Sequence, residues 1–451
     1  MSATLSEHLA TWLGTLAWPS LPEAQRELTQ TRLLDTLGLI ACGYRAEAAS
    51  IARALALRTG GNGRATIAGS TTALPAAWAA LVHGVAAHGF DFDDTFPESV
   101  VHPGSVIVPV ALAVGEDVGA SGAEILAAIA GGYEIAARLG RAGGTRFHAR
   151  GFHATGVFAP VTAAFVAARL LRLDAQASAS AVGLAASMAG GLMAFQADGS
   201  WSKWLHVGWG NFGGITAAQL AHGGYRGPLG ALDGRSNLYS AFIGETLVDA
   251  DAITEALGQR WDNATALFKL YPCAHVIQGY IDLALAMRGM LVPATIERIT
   301  CFVAPWAVPI VCEPAAEKAR PQTMMQAIAS LPVHVASALI DGRVDLETIG
   351  DANRQRADIL ALAAKVGYVP VEGLKGFDAR IEIVTADGRR HERNGGAAVA
   401  DAARLRAKFT ALASPAFGVA GAEAVLLAVG ALAGAPNADG ISGCLRSAPA
   451  P

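Results

Sequence analysis

Cysteine is scarce and unpatterned in this chain. Its five residues, Cys42, Cys273, Cys301, Cys312 and Cys444, are scattered through 451 positions with no C-x-x-C pair. Zinc ribbons and iron–sulfur spacings are thereby excluded, and a reducing, cytoplasmic setting is expected. Charge is thin as well. Only 16% of residues are charged, and 34 Lys plus Arg against 38 Asp plus Glu give a net charge of −4. No basic cluster is interleaved with aromatics, so nucleic acid is not an expected partner. The most apolar runs, SVIVPVALAVG and AVLLAVGALAGAP, are too short to span a bilayer, and no membrane association is expected. The N-terminus lacks a basic start ahead of an apolar core, so no signal peptide is expected. No G-x-G-x-x-G unit follows a strand-like run, and no P-loop or G-x-S-x-G elbow is present. Nucleotide-binding and esterase chemistry are disfavoured accordingly.

What the chain has in abundance is small and apolar. It is 52% hydrophobic, with 51 glycines and many alanines, which predicts closely packed helices and enough length for two domains. Leu33, Leu34, Leu37 and Ile40 recur at helical spacing. Ser121 followed by Glu124 is a capping box opening a second helix, and VFAPVTAAFVAARLLRL predicts another ended by Asp174. The Ala/Ser/Gly run over 176–194 predicts a buried helix or helix pair. The pattern changes near residue 266. ATIERITCFVAP alternates like a strand, and ARIEIVTADGRRHE predicts a hairpin turning at Asp387-Gly388. Helical pattern returns at VADAARLRAKFTAL. The expected architecture is therefore mainly α: a large helical domain built from residues 1–265 and 399–451, with a smaller α+β lid domain, 266–398, inserted.

Chemistry concentrates in four segments. HGFDFDDTFPESVVHPGS, residues 88–105, carries Asp91, Asp93, Asp94, Thr95 and His102 in a stretch that Pro97 and Pro103 keep from being one helix. Clustered carboxylates repel unless water, a cation or a ligand relieves them, so a solvated loop and a functional loop are both open readings. RFHARGFHATG offers His148 and His153. ADGSWSKWLHVGWGN sets Lys203 and His206 among tryptophans, where a lysine can hold an anion or simply lie along an aromatic surface. FKLYPCAHV adds Lys269 and His275 where the pattern changes. The carboxylate trio lacks the glycine and terminal glutamate of a calcium loop.

Taken in order, these segments resemble the 2-methylcitrate dehydratase (MmgE/PrpD) family, whose members include 2-methylcitrate dehydratase, cis-aconitate decarboxylase and iminodisuccinate epimerase. The H-x-x-D-F-D-D-T block with its following His-Pro, GFHATGVFAPVTAA, GSWSKWLHVGWGNFGG, FKLYPCAH and RIEIVTADGR carry the resemblance over nearly the whole chain. It implies a helical domain with an α+β lid and an active site in the cleft between them. By position it implies Asp91, Thr95, His102, His153, Lys203 and Lys269 as pocket residues. Asp91, His102, His153, Lys203 and Lys269 are then the catalytic candidates, and Thr95, His206 and His275 the substrate-binding ones. Asp93 and Asp94 are expected only to bound the loop or cap a helix. A pocket tyrosine of the decarboxylases has no counterpart in VAPWAVPIVCEP, which counts against that activity. The implied reaction is a cofactor-independent, metal-free dehydration of a small di- or tricarboxylate such as 2-methylcitrate, through a carbanion-like centre. Epimerisation of an amino- or imino-dicarboxylate is the alternative; decarboxylation, and a non-catalytic metal- or carboxylate-binding protein, rank lower. A homodimer through the helical domain is also implied.

Overall fold

The computed structural model describes residues 3–244, 249–374, 377–397 and 400–446. The expected boundary at 398/399 lies outside the described residues. Among the described residues helices dominate, and one four-stranded sheet accompanies them.

The helical part is built on α1 (Glu23–Gly43), α2 (Ala76–His88), α3 (Gly104–Val118), α4 (Gly122–Gly143), α5 (Ala154–Leu170) and α6 (Ser202–His222). Leu33, Leu37 and Ile40 of α1 are fully buried, as their spacing predicts. Ser121 caps α4: its hydroxyl accepts from the Glu124 N–H at 3.3 Å, and the Glu124 carboxylate accepts from the Ser121 N–H at 2.9 Å. Asp174 has a different role from the one expected. α5 already stops at Leu170, and the Asp174 side chain caps the next helix, Ala175–Ala186, by accepting from the Ala177 N–H at 2.8 Å. The 176–194 run is thus one helix followed by a turn.

The glycines of α6 set the helix packing. A methyl group at Gly210 would collide with Ala159, and one at Gly214 with Pro160 and Ala163, all on α5. Only hydrogen at these positions lets α6 sit in backbone contact with α5, a close-approach use of glycine.

Beyond residue 270, α7 (Gln278–Arg288) and α8 (Leu331–Asp341) pack with a sheet of β1 (Ile296–Val303), β2 (Val366–Pro370), β3 (Ala379–Thr385) and β4 (Arg390–Gly395). The order is β2-β1-β3-β4, and Gly388 takes φ +80° in the expected β3–β4 turn. The parallel β1–β2 pairing joins segments more than sixty residues apart, too far for a local pattern to reveal. Tyr280, Ile299, Ile381 and Ile383 form part of a second apolar core, separate from the one between the helices. The chain then returns as α9 (Ala402–Ala431), which packs along α1 and is broken by non-helical dihedrals at Gly418. α9 and the turn after it are longer than the apolar run alone suggested, and by length and composition would suffice to cross a membrane. In this fold α9 forms part of the helical core through Phe409, Ala413 and Val425.

Candidate active site

α2 delivers His88 at its last turn, and the chain then runs as a loop to Pro103, where α3 begins. Two non-glycine residues of this loop, Asp91 (φ 51°) and Val100 (φ 56°), adopt left-handed backbone conformations. For a β-branched valine this is costly, and it persists only where surrounding contacts over-determine it. Those contacts are present. Thr95 and Leu267 exchange two backbone hydrogen bonds at 2.9 Å, Phe96 pairs with Val101, and Lys408 of α9 donates to the Phe92 carbonyl at 2.9 Å. The Thr95–Leu267 pair also fixes the segment that presents Lys269.

Asp91 is the hub. One oxygen, Oδ1, lies 3.0 Å from Lys203 Nζ, 3.0 Å from Lys269 Nζ and 3.8 Å from His102 Nε2. Lys269 additionally donates to the Asp91 carbonyl at 2.6 Å. Burial alone would raise this carboxyl, but the two lysines and His102 outweigh it and hold it well below the usual carboxylate range. Two lysine ammonium groups thus share this one buried carboxylate oxygen.

A cavity of about 430 Å³ opens over this group, walled by Asp91, His102, His153, Lys203, Lys269 and His275. Its other side is formed by the segments around Pro309, Glu313 and Met325, so both parts of the chain contribute. Thr95 lines it too, its hydroxyl 3.2 Å from His102 Nδ1. His275 stacks on Phe377 with centroids 4.3 Å apart. His206 is placed differently: it stands behind His153, with the two Nδ1 atoms 3.2 Å apart, and does not wall the cavity.

The hydrogen bonds assign the tautomer of His102. Its Nδ1 faces the Asp94 carbonyl at 3.0 Å and the Asp93 carboxylate at 3.3 Å. Both are acceptors, so Nδ1 carries a proton, and the ring is held with Nε2 toward Asp91. This is the arrangement of an oriented base.

Asp93 and Asp94, expected only to bound the loop or cap a helix, are both buried. Asp93 Oδ2 accepts from His88 Nδ1 and from the Ser105 hydroxyl, each at 2.7 Å. Burial raises its carboxyl, and His88 and His102 more than offset this, holding it well below its ordinary value. Asp94 accepts from the Tyr133 hydroxyl at 2.8 Å and the Gly104 N–H at 2.9 Å, and burial pushes it up to about 6. The sequence reading missed His88. Its Nε2 accepts from Lys203 Nζ at 2.9 Å, linking that lysine to Asp93, and burial lowers it to about 4. The signal was the His–Asp spacing of five across a helix end, ambiguous without the fold.

His88, Asp93 and His102 lie close enough to be considered as metal ligands. Several of their donor atoms are already committed: His88 Nδ1 and Nε2 to Asp93 and Lys203, and Asp93 Oδ2 to two hydrogen bonds. A cation there would also face the Lys203 ammonium. The trio is a proton and charge network.

Known proteins agree with the blocks read from the sequence. The chain matches the MmgE/PrpD N-terminal domain over residues 7–251 and the MmgE/PrpD C-terminal domain over residues 271–433. It is 27% identical to cis-aconitate decarboxylase of Homo sapiens over 402 residues, covering 86% of this chain and 82% of the relative. A cis-aconitate decarboxylase-like protein of Aspergillus oryzae, oryM, is 30% identical over 217 residues, 45% of either chain. The Mus musculus cis-aconitate decarboxylase is 29% identical, covering 70% of this chain and 66% of the relative. With both domains matched in order, the chain belongs to the MmgE/PrpD family.

Proposed function

We propose that this protein is a cofactor-independent lyase that dehydrates a small 2-hydroxy di- or tricarboxylate such as 2-methylcitrate. The observation that carries the reading is the single Asp91 oxygen held by Lys203 and Lys269 at 3.0 Å each beneath a histidine-walled cavity. The two lysine ammonium groups favour a substrate carboxylate. They favour still more the dianionic, enolate-like form that a carboxylate takes when the carbon beside it loses a proton. His102 Nε2, oriented through Asp93 and the Asp94 carbonyl, removes that proton. His153 donates a proton to the departing hydroxyl, so that one C–H and one C–O bond break, a C=C bond forms and water leaves. Asp91 keeps the lysines in place between turnovers.

Decarboxylation of cis-aconitate, the activity in the names of the relatives, is the second reading. Against it, VAPWAVPIVCEP, the segment that the resemblance aligns with the decarboxylases' tyrosine, holds no tyrosine. Epimerisation of an imino- or amino-dicarboxylate needs the same carbanion without a leaving group. The three separate in one experiment. Chelator-treated protein is incubated with 2-methylcitrate, citrate, cis-aconitate and iminodisuccinate in deuterated water, and products are followed by NMR. Alkene formation from a hydroxy acid supports dehydration. Carbon dioxide release from cis-aconitate, or deuterium exchange with inversion alone, replaces it with the corresponding alternative. No turnover across the panel defeats the lyase reading.

A further inference from the structure

His88, His102, His148, His153, His206 and His275 gather at the site, and among the described residues one contact between them, His153 with His206, joins two ring nitrogens. His153 Nδ1 and His206 Nδ1 are 3.2 Å apart. Two imidazole nitrogens at this distance hold one proton between them: one is N–H and the other a lone pair. His153 lines the cavity, and its Nε2 is buried with no hydrogen-bond partner among the described residues. His206 is half-buried. The pair therefore runs from the reaction space toward the surface.

The surroundings keep this contact open. The His153 N–H is anchored on the Gly191 carbonyl at 2.9 Å. A methyl group at Gly191 would come within 3.1 Å of His206 Nδ1, and one at Gly156 within 3.1 Å of His206 Cβ. Glycine at both positions leaves the space in which the His206 ring meets His153. Phe195 packs edge-on to both rings, at 6.0 and 6.1 Å. Burial lowers both imidazoles, His206 to about 4, so each is neutral at neutral pH and can exist as either tautomer.

We infer that His206 is a positioning and proton-relay residue that sets the tautomer of His153 and connects it to solvent. When His206 Nδ1–H donates, His153 Nδ1 accepts and His153 Nε2–H faces the substrate as an acid. Transfer of that proton to the leaving hydroxyl moves the His206 Nδ1 proton onto His153 Nδ1. His206 then takes one proton from water at Nε2. One proton enters from solvent, one leaves to the substrate, and both rings stay neutral with their tautomers exchanged. Reset runs the same transfers in reverse, from water admitted after product leaves. The proposal rests on His153 as the proton-transfer group of the proposed reaction.

The test has an arm that needs no substrate. In full-length protein labelled with ¹⁵N-histidine, NMR at neutral pH should show His153 and His206 neutral and sharing one Nδ1 proton. Nδ1 protons on both rings, or on neither, would overturn the relay. In the second arm His206→Asn retains an amide where Nδ1 stood but cannot pass a proton. Turnover on whichever substrate of the panel reacts should fall about tenfold or more, within the range of a lost acid–base group. KM should change by no more than about twofold, and added imidazole should restore much of the rate. A loss carried in KM, or one that imidazole does not relieve, would overturn the relay in favour of a packing role. If the Asn variant does not fold, His206→Gln takes its place in the same rescue assay. Absence of turnover by the unmodified protein would defeat the lyase reading alone, because the NMR arm still decides the relay.

Discussion

Replacing Asp91 with asparagine keeps the size of the side chain and removes the one negative charge that Lys203 and Lys269 share. At 3.0 Å and an effective dielectric of about 20, each contact corresponds to roughly 5 kcal/mol of Coulomb attraction. Desolvation of the buried carboxylate opposes most of that gain. Removing one member of a buried ion pair nevertheless typically costs about 3–5 kcal/mol, because the partner charge is stranded. Here two are stranded, and a loss in that range is expected at neutral pH. The sign with pH follows from the depressed carboxyl. Its contribution is fully present above the unfolded value of about 3.9 and is lost as pH falls through the lower folded value. The gap between native protein and Asp91→Asn should therefore be constant from pH 5 to 8, by order of magnitude, and narrow below about pH 4. Turnover should fall about 10²-fold or more, as for a lost acid–base partner. Carboxylate binding should survive, since both lysines remain. Urea unfolding at several pH values, with turnover and ligand-induced thermal shift on the same samples, checks all three. A stability change below about 1 kcal/mol together with near-normal turnover would refute the hub role.

Other outcomes follow from the same geometry. Lys408 lies 2.8 Å from buried Asp35 and 4.0 Å above the Phe92 ring. Lys408→Met should destabilise by about 3–5 kcal/mol and slow turnover by loosening the 88–95 loop, and adding Asp35→Leu should recover stability but not rate; failure to recover stability argues against a stranded Asp35. Asp94→Asn should cost about 1–3 kcal/mol, because one amide cannot accept from both Tyr133 and Gly104; an unchanged melting temperature would return Asp94 to the loop-bounding role. Buried His83 accepts from the Ala68 N–H at 3.0 Å, and burial lowers it from 6.5 to about 4. Its stabilising contribution is whole above about pH 6.5 and lost as pH falls toward 4, by about 3 kcal/mol at 1.36 kcal/mol per pH unit, so His83→Gln should flatten that limb of the stability curve; an unchanged slope would contradict it. Trp201, Leu205 and Trp209 follow one another at four-residue spacing and are 41%, 49% and 53% exposed. We propose that a second copy covers this face in a homodimer; a monomeric mass by light scattering at micromolar concentration, or a dimer untouched by Trp209→Glu, would contradict it.

The division between what the sequence reveals and what the fold adds is seen most clearly at Asp91. Helix caps, the hairpin turn and the buried faces of α1 and β3 are local: they depend on residues three or four apart, or on alternation, and were legible from the chain. The ordered blocks also point to Asp91, His102, His153, Lys203 and Lys269. No local rule, however, says that Lys203, 112 residues from Asp91, and Lys269, 178 residues away, meet on one carboxylate oxygen. Nor could it say that α9 returns from beyond the sheet to set Lys408 on Phe92.

The misreadings have one cause. Asp93 and Asp94 read only as loop-bounding or helix-capping residues, because the sequence does not show that His88, Ser105, Tyr133 and a backbone N–H surround them. Asp174 passed for the end of one helix because capping chemistry alone does not say which helix is capped. His206 was grouped with the substrate contacts because it stands in one segment with Lys203, and only packing turns its ring onto His153. The sequence by itself determined the elements, the family and the residue types at the site. The tertiary structure decided which charges neutralise one another, because electrostatic and hydrogen-bond energies depend on distance in space and on exclusion of water.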